Sequence, residues 1–352
     1  MKENYQGSLS KKIAFITIGI ALVVIIAIMS CAIGSGYGFI DTFEIIYHHA
    51  IGTEYPIRSP EWWADYYLFT NCMPGVCMAL IAGMGLALAG TVMQTVMQNP
   101  LADAYTTGIS SGACFGAVCA IILGFSLTSA ASGMGVIVNA FIGAMIPAFI
   151  MVLMMRYVGN SPSTMILVGT ALSFFFNAMV TLVMITASSE DLQDAFLWQI
   201  GSVAGAEWSQ IPFMLIVVAI SSMLVELSYR KLNIISLGDS EAKSLGLDVS
   251  QFRTLCLILT SILVASIISF TGIIGFVGLV SPHIVRFIMG NDNRFVVPGS
   301  MIVGAILLLI SDAISRCLYG YADVPIGVIM SFIGAPMFLY LIIRRKSSKE
   351  MF

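Results

Sequence analysis

Long uncharged runs alternate with short stretches that carry charge, proline or glycine along the whole chain. Crossing the hydrocarbon core of a bilayer takes about 20 residues of helix. By that measure ten runs predict transmembrane helices, at approximately 13–36, 74–97, 105–125, 133–156, 163–187, 209–230, 253–271, 274–290, 297–318 and 325–343. The eighth is short and glycine-rich, which predicts a tilted or broken helix. Residues 37–73 predict an outer loop with Trp62, Trp63, Tyr66 and Tyr67, an aromatic cluster suited to the membrane interface. Residues 231–252 predict the longest inner loop, and 188–208 a short amphipathic helix on the outside. The predicted fold is an all-α polytopic membrane protein, one domain over 1–352, with no solvated domain of useful size.

Composition strengthens this reading. Hydrophobic residues make up 58% of the chain and charged residues 10%, against roughly 25% charged in a soluble domain. Lipid must therefore be the solvent for most of the surface. The first run is longer than the roughly 7–15 apolar residues of a cleaved leader, so it reads as a membrane helix. With both termini in the cytoplasm, fourteen of the 16 Lys and Arg residues fall inside, and only Arg58 and Arg316 outside. A wrong helix count would scramble that asymmetry. The net charge of -3 offers nothing to nucleic acid, and the seven cysteines lie scattered in apolar stretches without the paired spacing of a zinc site.

No catalytic, metal or cofactor constellation is present. The stretch Gly238 to Ser244 lacks the second glycine of a phosphate loop, and His48, His49 and His283 lack the clustering of a metal site. Asp312 with Arg316, and Glu226 with Arg230, are spaced to pair along one helix face. Gly83 with Ala87, Gly85 with Ala89, and Gly112 with Gly116 predict close helix packing. The run from Gln98 to Asp103 predicts an inner turn, with Asp103 near the start of the next helix, where a carboxylate favours the dipole.

Four ordered blocks carry a family resemblance: Gly83 through Gly116, Leu237 through Gly246, Gly272 through Arg286 with Asp292, Asn293 and Arg294 behind it, and Pro325 through Pro336. Over about 70–345 the chain resembles the iron-siderophore and vitamin B12 family of ABC importer permeases. The resemblance implies ten helices per subunit and a homodimer in the cytoplasmic membrane of a prokaryote. It also implies two cytoplasmic ATP-binding subunits, an extracytoplasmic binding protein, and an iron-siderophore, haem or corrinoid cargo. It implies a coupling helix from Leu237, Gly238, Asp239, Glu241, Ala242, Leu245 and Gly246, in which Asp239 caps, Gly246 terminates, and Ala242 and Leu245 share one side. Asn99 and Leu101 are implied to line the inner gate, with Ser163 and Thr164 as a second layer. Arginines of the family's outer face receive the binding protein; here Cys72 and Gly75 stand at two such positions, Arg316 matches a third, and Arg58 is the other outer cation. Asp323 stands where the family has glutamate. The alternatives are an ion-coupled secondary transporter, which needs a midplane carboxylate, and a membrane-embedded enzyme, which needs clustered histidines or carboxylates.

Overall fold

A computed structural model describes residues 2–33, 38–53, 55–127, 132–318 and 324–347, and Asp323 lies outside them. In chain order the α-helices are α1 (Lys2–Ala32), α2 (Phe39–Ala50), α3 (Pro60–Tyr67), α4 (Met73–Val96), α5 (Ile109–Leu123), α6 (Ser132–Val158), α7 (Pro162–Met184), α8 (Ser189–Ile200), α9 (Ile211–Leu227), α10 (Tyr229–Ile235), α11 (Asp239–Ser244), α12 (Val249–Thr271), α13 (Val277–Met289), α14 (Asn293–Leu318) and α15 (Ile326–Ser347). Among the described residues there is no strand.

Each of the ten apolar runs coincides with one of these helices. Among the described residues, six helical stretches are long and apolar enough to cross a membrane, and α9 with α10 makes a seventh if that pair, bent by 61°, is one span. The other three, Ile109–Leu123, Val277–Met289 and Ile326–Leu341, are shorter. At 1.5 Å per residue α13 is only about 20 Å long. The residues before it, Gly272 to Phe276, are non-helical, with Gly272 and Phe276 at positive φ. The short, broken character expected of the eighth run is therefore present.

The bundle is built around α4, which packs on α14, α12, α13 and α9. Small residues make this possible. A Cβ at Gly83 would overlap the Gly304 backbone of α14, and Gly112 and Gly116 lie against Gly143 and Asn139 of α6. In lipid such contact gains dispersion energy that bulkier residues would forbid. Large apolar side chains point outward elsewhere, as at Ile18 of α1 and Leu167 and Phe174 of α7.

Two expectations give way. The stretch 37–73 is not an irregular loop throughout: among its described residues α2 and α3 are helical, and α3 runs through a π-helical turn (Leu68–Cys72) into α4. All four aromatics, Trp62, Trp63, Tyr66 and Tyr67, lie on α3, whose N-terminus is capped by Ser59 accepting from the Trp62 N–H. Glu226 and Arg230 do not pair, because the bend after Leu227 breaks their common face, and Arg230 turns to the Tyr229 hydroxyl instead. The predicted outer helix within 188–208 is α8, capped by the Ser188 hydroxyl accepting from the Asp191 N–H.

Candidate functional site

The α4–α5 turn begins where Gln98 adopts a left-handed conformation (φ 48°). A non-glycine residue there costs about 1–2 kcal/mol, so its side chain must hold it. The Gln98 amide donates to the Ile235 carbonyl of α10 and to Asp239 of α11, both at 3.0 Å. The Asn99 side chain then accepts from the Leu101 N–H at 2.9 Å, closing a tight polar turn. Leu101 is left 51% exposed at its tip. Asp103 is buried against Gly278 of α13 and leads into a 3-10 turn, Ala104–Thr107, ahead of α5. Ser163 and Thr164 open α7, where the Ser161 hydroxyl caps the helix by accepting from the Thr164 N–H at 3.1 Å. Ser163 is exposed, while the Thr164 hydroxyl is bonded to Ser161 at 2.8 Å.

The inner-loop helix α11 is tied to this turn through a residue absent from the sequence-based site, Arg253. Its side chain is 1% exposed. It grips Asp239 through two bonds of 2.7 and 3.0 Å and donates to the Val96 carbonyl at 3.1 Å and to the Asn160 carbonyl. One guanidinium thus joins the end of α4, the α6–α7 link, α11 and α12. The fork geometry of arginine suits this, since its five donors are fixed in one plane. Hydrogen bonds from Arg253 hold the Asp239 carboxyl below the usual carboxylate range, against the cost of partial burial, with Gln98 and Lys243 helping. An arginine one turn into an otherwise uncharged helix is the sequence signal that could have marked this position.

Asp239 is therefore not the helix cap. Gly238 occupies the N-cap position, at φ 121°, and the Asp239 carboxylate is spent on Arg253 and Gln98. Gly246 does follow the helix in a left-handed conformation, φ 84°. Ala242 is fully buried whereas Leu245 is 61% and Leu237 62% exposed, so Ala242 does not share an outer face with Leu245. Glu241 is exposed. On the other side of α10, Asn233 bonds Asp292 at 2.8 Å and the Asn293 N–H at 2.8 Å, fixing the loop segment to the α13–α14 turn.

At the opposite end of α14, Arg316 and Asp312 pair at 2.7 Å with side chains 8% and 4% exposed. The Arg316 guanidinium also donates to the Cys72 thiol and carbonyl, and a Cβ at Gly75 would stand 2.9 Å from it. The missing side chain at Gly75 is what lets Arg316 lie inward, in the pairing with Asp312 that their spacing predicted. Arg58, by contrast, is exposed, at φ 70°. Near this end the non-helical stretch 201–203 is bridged to the end of α12 by Ser202 N–H to the Thr271 carbonyl (2.8 Å) and to the start of α15 by Gly327 N–H to the Gly201 carbonyl (3.2 Å). Beside them opens a cavity of 540 Å3 lined by residues such as Gln199, Ile273, Gly275 and Phe332. Among the described residues no group of three His, Cys, Asp or Glu is placed to hold a metal.

Comparisons with known proteins agree on one family. Residues 19–344 match the FecCD transport family. The chain is 35% identical to the haemin transport permease HmuU of Yersinia pestis over 290 residues, 82% of this chain and 86% of that one. It is 34% identical to the vitamin B12 import permease BtuC of Citrobacter koseri over 296 residues, 82% and 88%. Its fold superposes on an inward-facing metal-chelate type ABC transporter with TM-score 0.80 and 29% identity, covering 95% of this chain and 99% of that one. With its helical bundle, its bonded inner turn and these matches, the chain belongs to the FecCD transport family.

Proposed function

We propose that this chain is the transmembrane permease subunit of a binding-protein-dependent ABC importer for metal chelates of the iron-siderophore, haem or corrinoid type. Ten helices cross the cytoplasmic membrane of a prokaryote, with both termini inside. Two copies form a homodimer with the pathway between them. Two separate ATP-binding subunits hydrolyse ATP, and the permease contributes no catalytic residue. An extracytoplasmic binding protein delivers the cargo.

The observation that carries this reading is the node in which Arg253 and Gln98 bond both α11 and the α4–α5 turn. A nucleotide-driven movement can open a gate only if the two are mechanically joined and the ATPase contact differs between states. The exposed residues Leu237, Glu241 and Leu245 present the docking face for the ATPase. Gly238, Asp239, Ala242 and Gly246 anchor and shape that helix from within. Asn99 and Leu101 form the inner constriction, with Ser163 and Thr164 as its second layer. The cavity beside 272–276 lies on the cargo route, where non-helical backbone is tolerated because it lines a cavity. Arg58, with the aromatic α3, receives the binding protein, while Arg316 supports that face from inside.

The test is uptake into proteoliposomes holding the permease, its ATPase and its binding protein. Uptake that requires both partners and ATP is expected. Uptake driven by an ion gradient without ATP would overturn the reading in favour of a secondary transporter.

A further inference from the structure

A second arginine near the inner turn is bonded differently from Arg253. Arg286, on the last turn of α13, donates to the Gln94 side-chain oxygen and, at 3.0 Å, to the Thr95 hydroxyl. The amide of Gln94 is oriented by its own donation to the Leu279 carbonyl at 3.2 Å, which leaves its oxygen for Arg286. Both acceptors are neutral. Among the described residues no carboxylate lies within ion-pair distance of Arg286. The acidic groups nearby are committed elsewhere: Asp239 to Arg253 and Gln98, and Asp292 to Asn233 and the Arg294 N–H.

Arg286 lines a cavity of 350 Å3 shared with Gln94, Gln98, Gly238, Asn291 and Asn293, and no acidic residue is in its lining. A half-buried cation with neutral partners only is electrostatically incomplete, because withdrawal from water is not repaid by an opposite charge. Guanidinium has five donors in a fixed fork, which matches the oxygens of an oxyanion. At about 30 Å3 of liquid per water molecule, the space holds such an anion with several waters. We infer that this cavity is a binding site for a small oxyanion of the phosphate class. Its lining combines the α4–α5 turn (Gln98, Pro100), the turn before α11 (Ser236 to Gly238) and the α13–α14 link with the start of α14 (Asn291, Asn293). An occupied site would brace these three segments against one another.

Equilibrium dialysis of the purified, detergent-solubilised full chain against radiolabelled orthophosphate tests the assignment. One saturable site per chain is expected. Arg286→Gln should weaken binding by about tenfold or more, the scale of a lost hydrogen bond to a charged group. Asn291→Asp changes an exposed position, so the fold is retained, and its carboxylate at the cavity should also weaken binding. Competition by ADP would assign the anion to a nucleotide phosphate, and its absence to the free ion. No saturable binding by the wild type, or wild-type binding by the folded Asn291→Asp variant, would overturn the proposal.

Discussion

Arg253 shows how much rests on one side chain. It is almost fully buried, yet its partners Val96, Asn160 and Asp239 are oxygens on segments other than its own helix. Arg253→Lys keeps the charge but loses the planar fork, so the ammonium cannot serve Asp239, Val96 and Asn160 together. We expect this variant to assemble with its ATPase while substrate-stimulated ATP hydrolysis falls severalfold. Stimulation equal to wild type would show that the node does not transmit motion. Asp239 adds a pH dependence. Its pKa is lower in the folded chain than in the unfolded one, so its contribution to stability is complete above the ordinary carboxylate pKa of about 4. That contribution is lost as pH falls through the lower, folded value. Thermal unfolding of wild type and Asp239→Asn in detergent should therefore differ at pH 6 and converge as the solution is acidified below about pH 4.

At the scale of the element, α11 has an inner and an outer face that a six-residue helix cannot reveal by periodicity alone. Ala242 is wholly enclosed and Leu245 largely open. Leu245→Asp should leave the bundle intact and reduce co-purification of the ATPase. Ala242→Asp places an unpaired carboxylate in the core, which costs several kcal/mol. It should lower the unfolding temperature of the isolated permease before any question of docking arises. Equal unfolding temperatures for the two variants would mean that α11 is not seated as described. The α9–α10 bend matters in the same way. It separates Glu226 from Arg230 and delivers Asn233 to Asp292 and Asn293, so the inner loop is held at both ends.

For the whole molecule, the two ends differ in how they use charge. The end bearing α3 keeps Arg316 enclosed with Asp312, Ser30 and Cys72. Arg316→Ala strands the Asp312 carboxylate, a loss of about 3–5 kcal/mol for a broken buried pair. The double variant with Asp312→Ala should recover much of that loss in thermal unfolding. Recovery of none would indicate that the pair is not coupled. Arg58→Ala, by contrast, should leave stability unchanged and weaken binding-protein affinity in a salt-dependent way, since an exposed ion pair is worth about 0.2–1 kcal/mol. Salt-independent affinity unaffected by Arg58→Ala would show that docking relies on apolar contacts such as those of α3.

The sequence by itself determined the membrane solvent, the order of ten apolar helices and the family, because each is written in local composition, run length and motif order. The small residues Gly83, Gly112 and Gly116 could be read as packing positions for the same reason, though not which backbone each would meet. The predicted Asp312–Arg316 pair was also legible, since four-residue spacing on a straight helix fixes it. Only the tertiary structure decided the rest. It placed two helices within 37–73, broke the Glu226–Arg230 pair at a bend, took Asp239 away from its cap and drew Arg316 inward over Gly75. Two of these cases show side chains that answer to partners far along the chain: Arg253, which holds Asp239, also reaches Val96, 157 residues away, and Arg316 reaches Cys72, 244 away. Hydrogen-bond donors withdrawn from water take whichever acceptor packing brings within reach, and packing between distant helices leaves no periodic trace in the sequence.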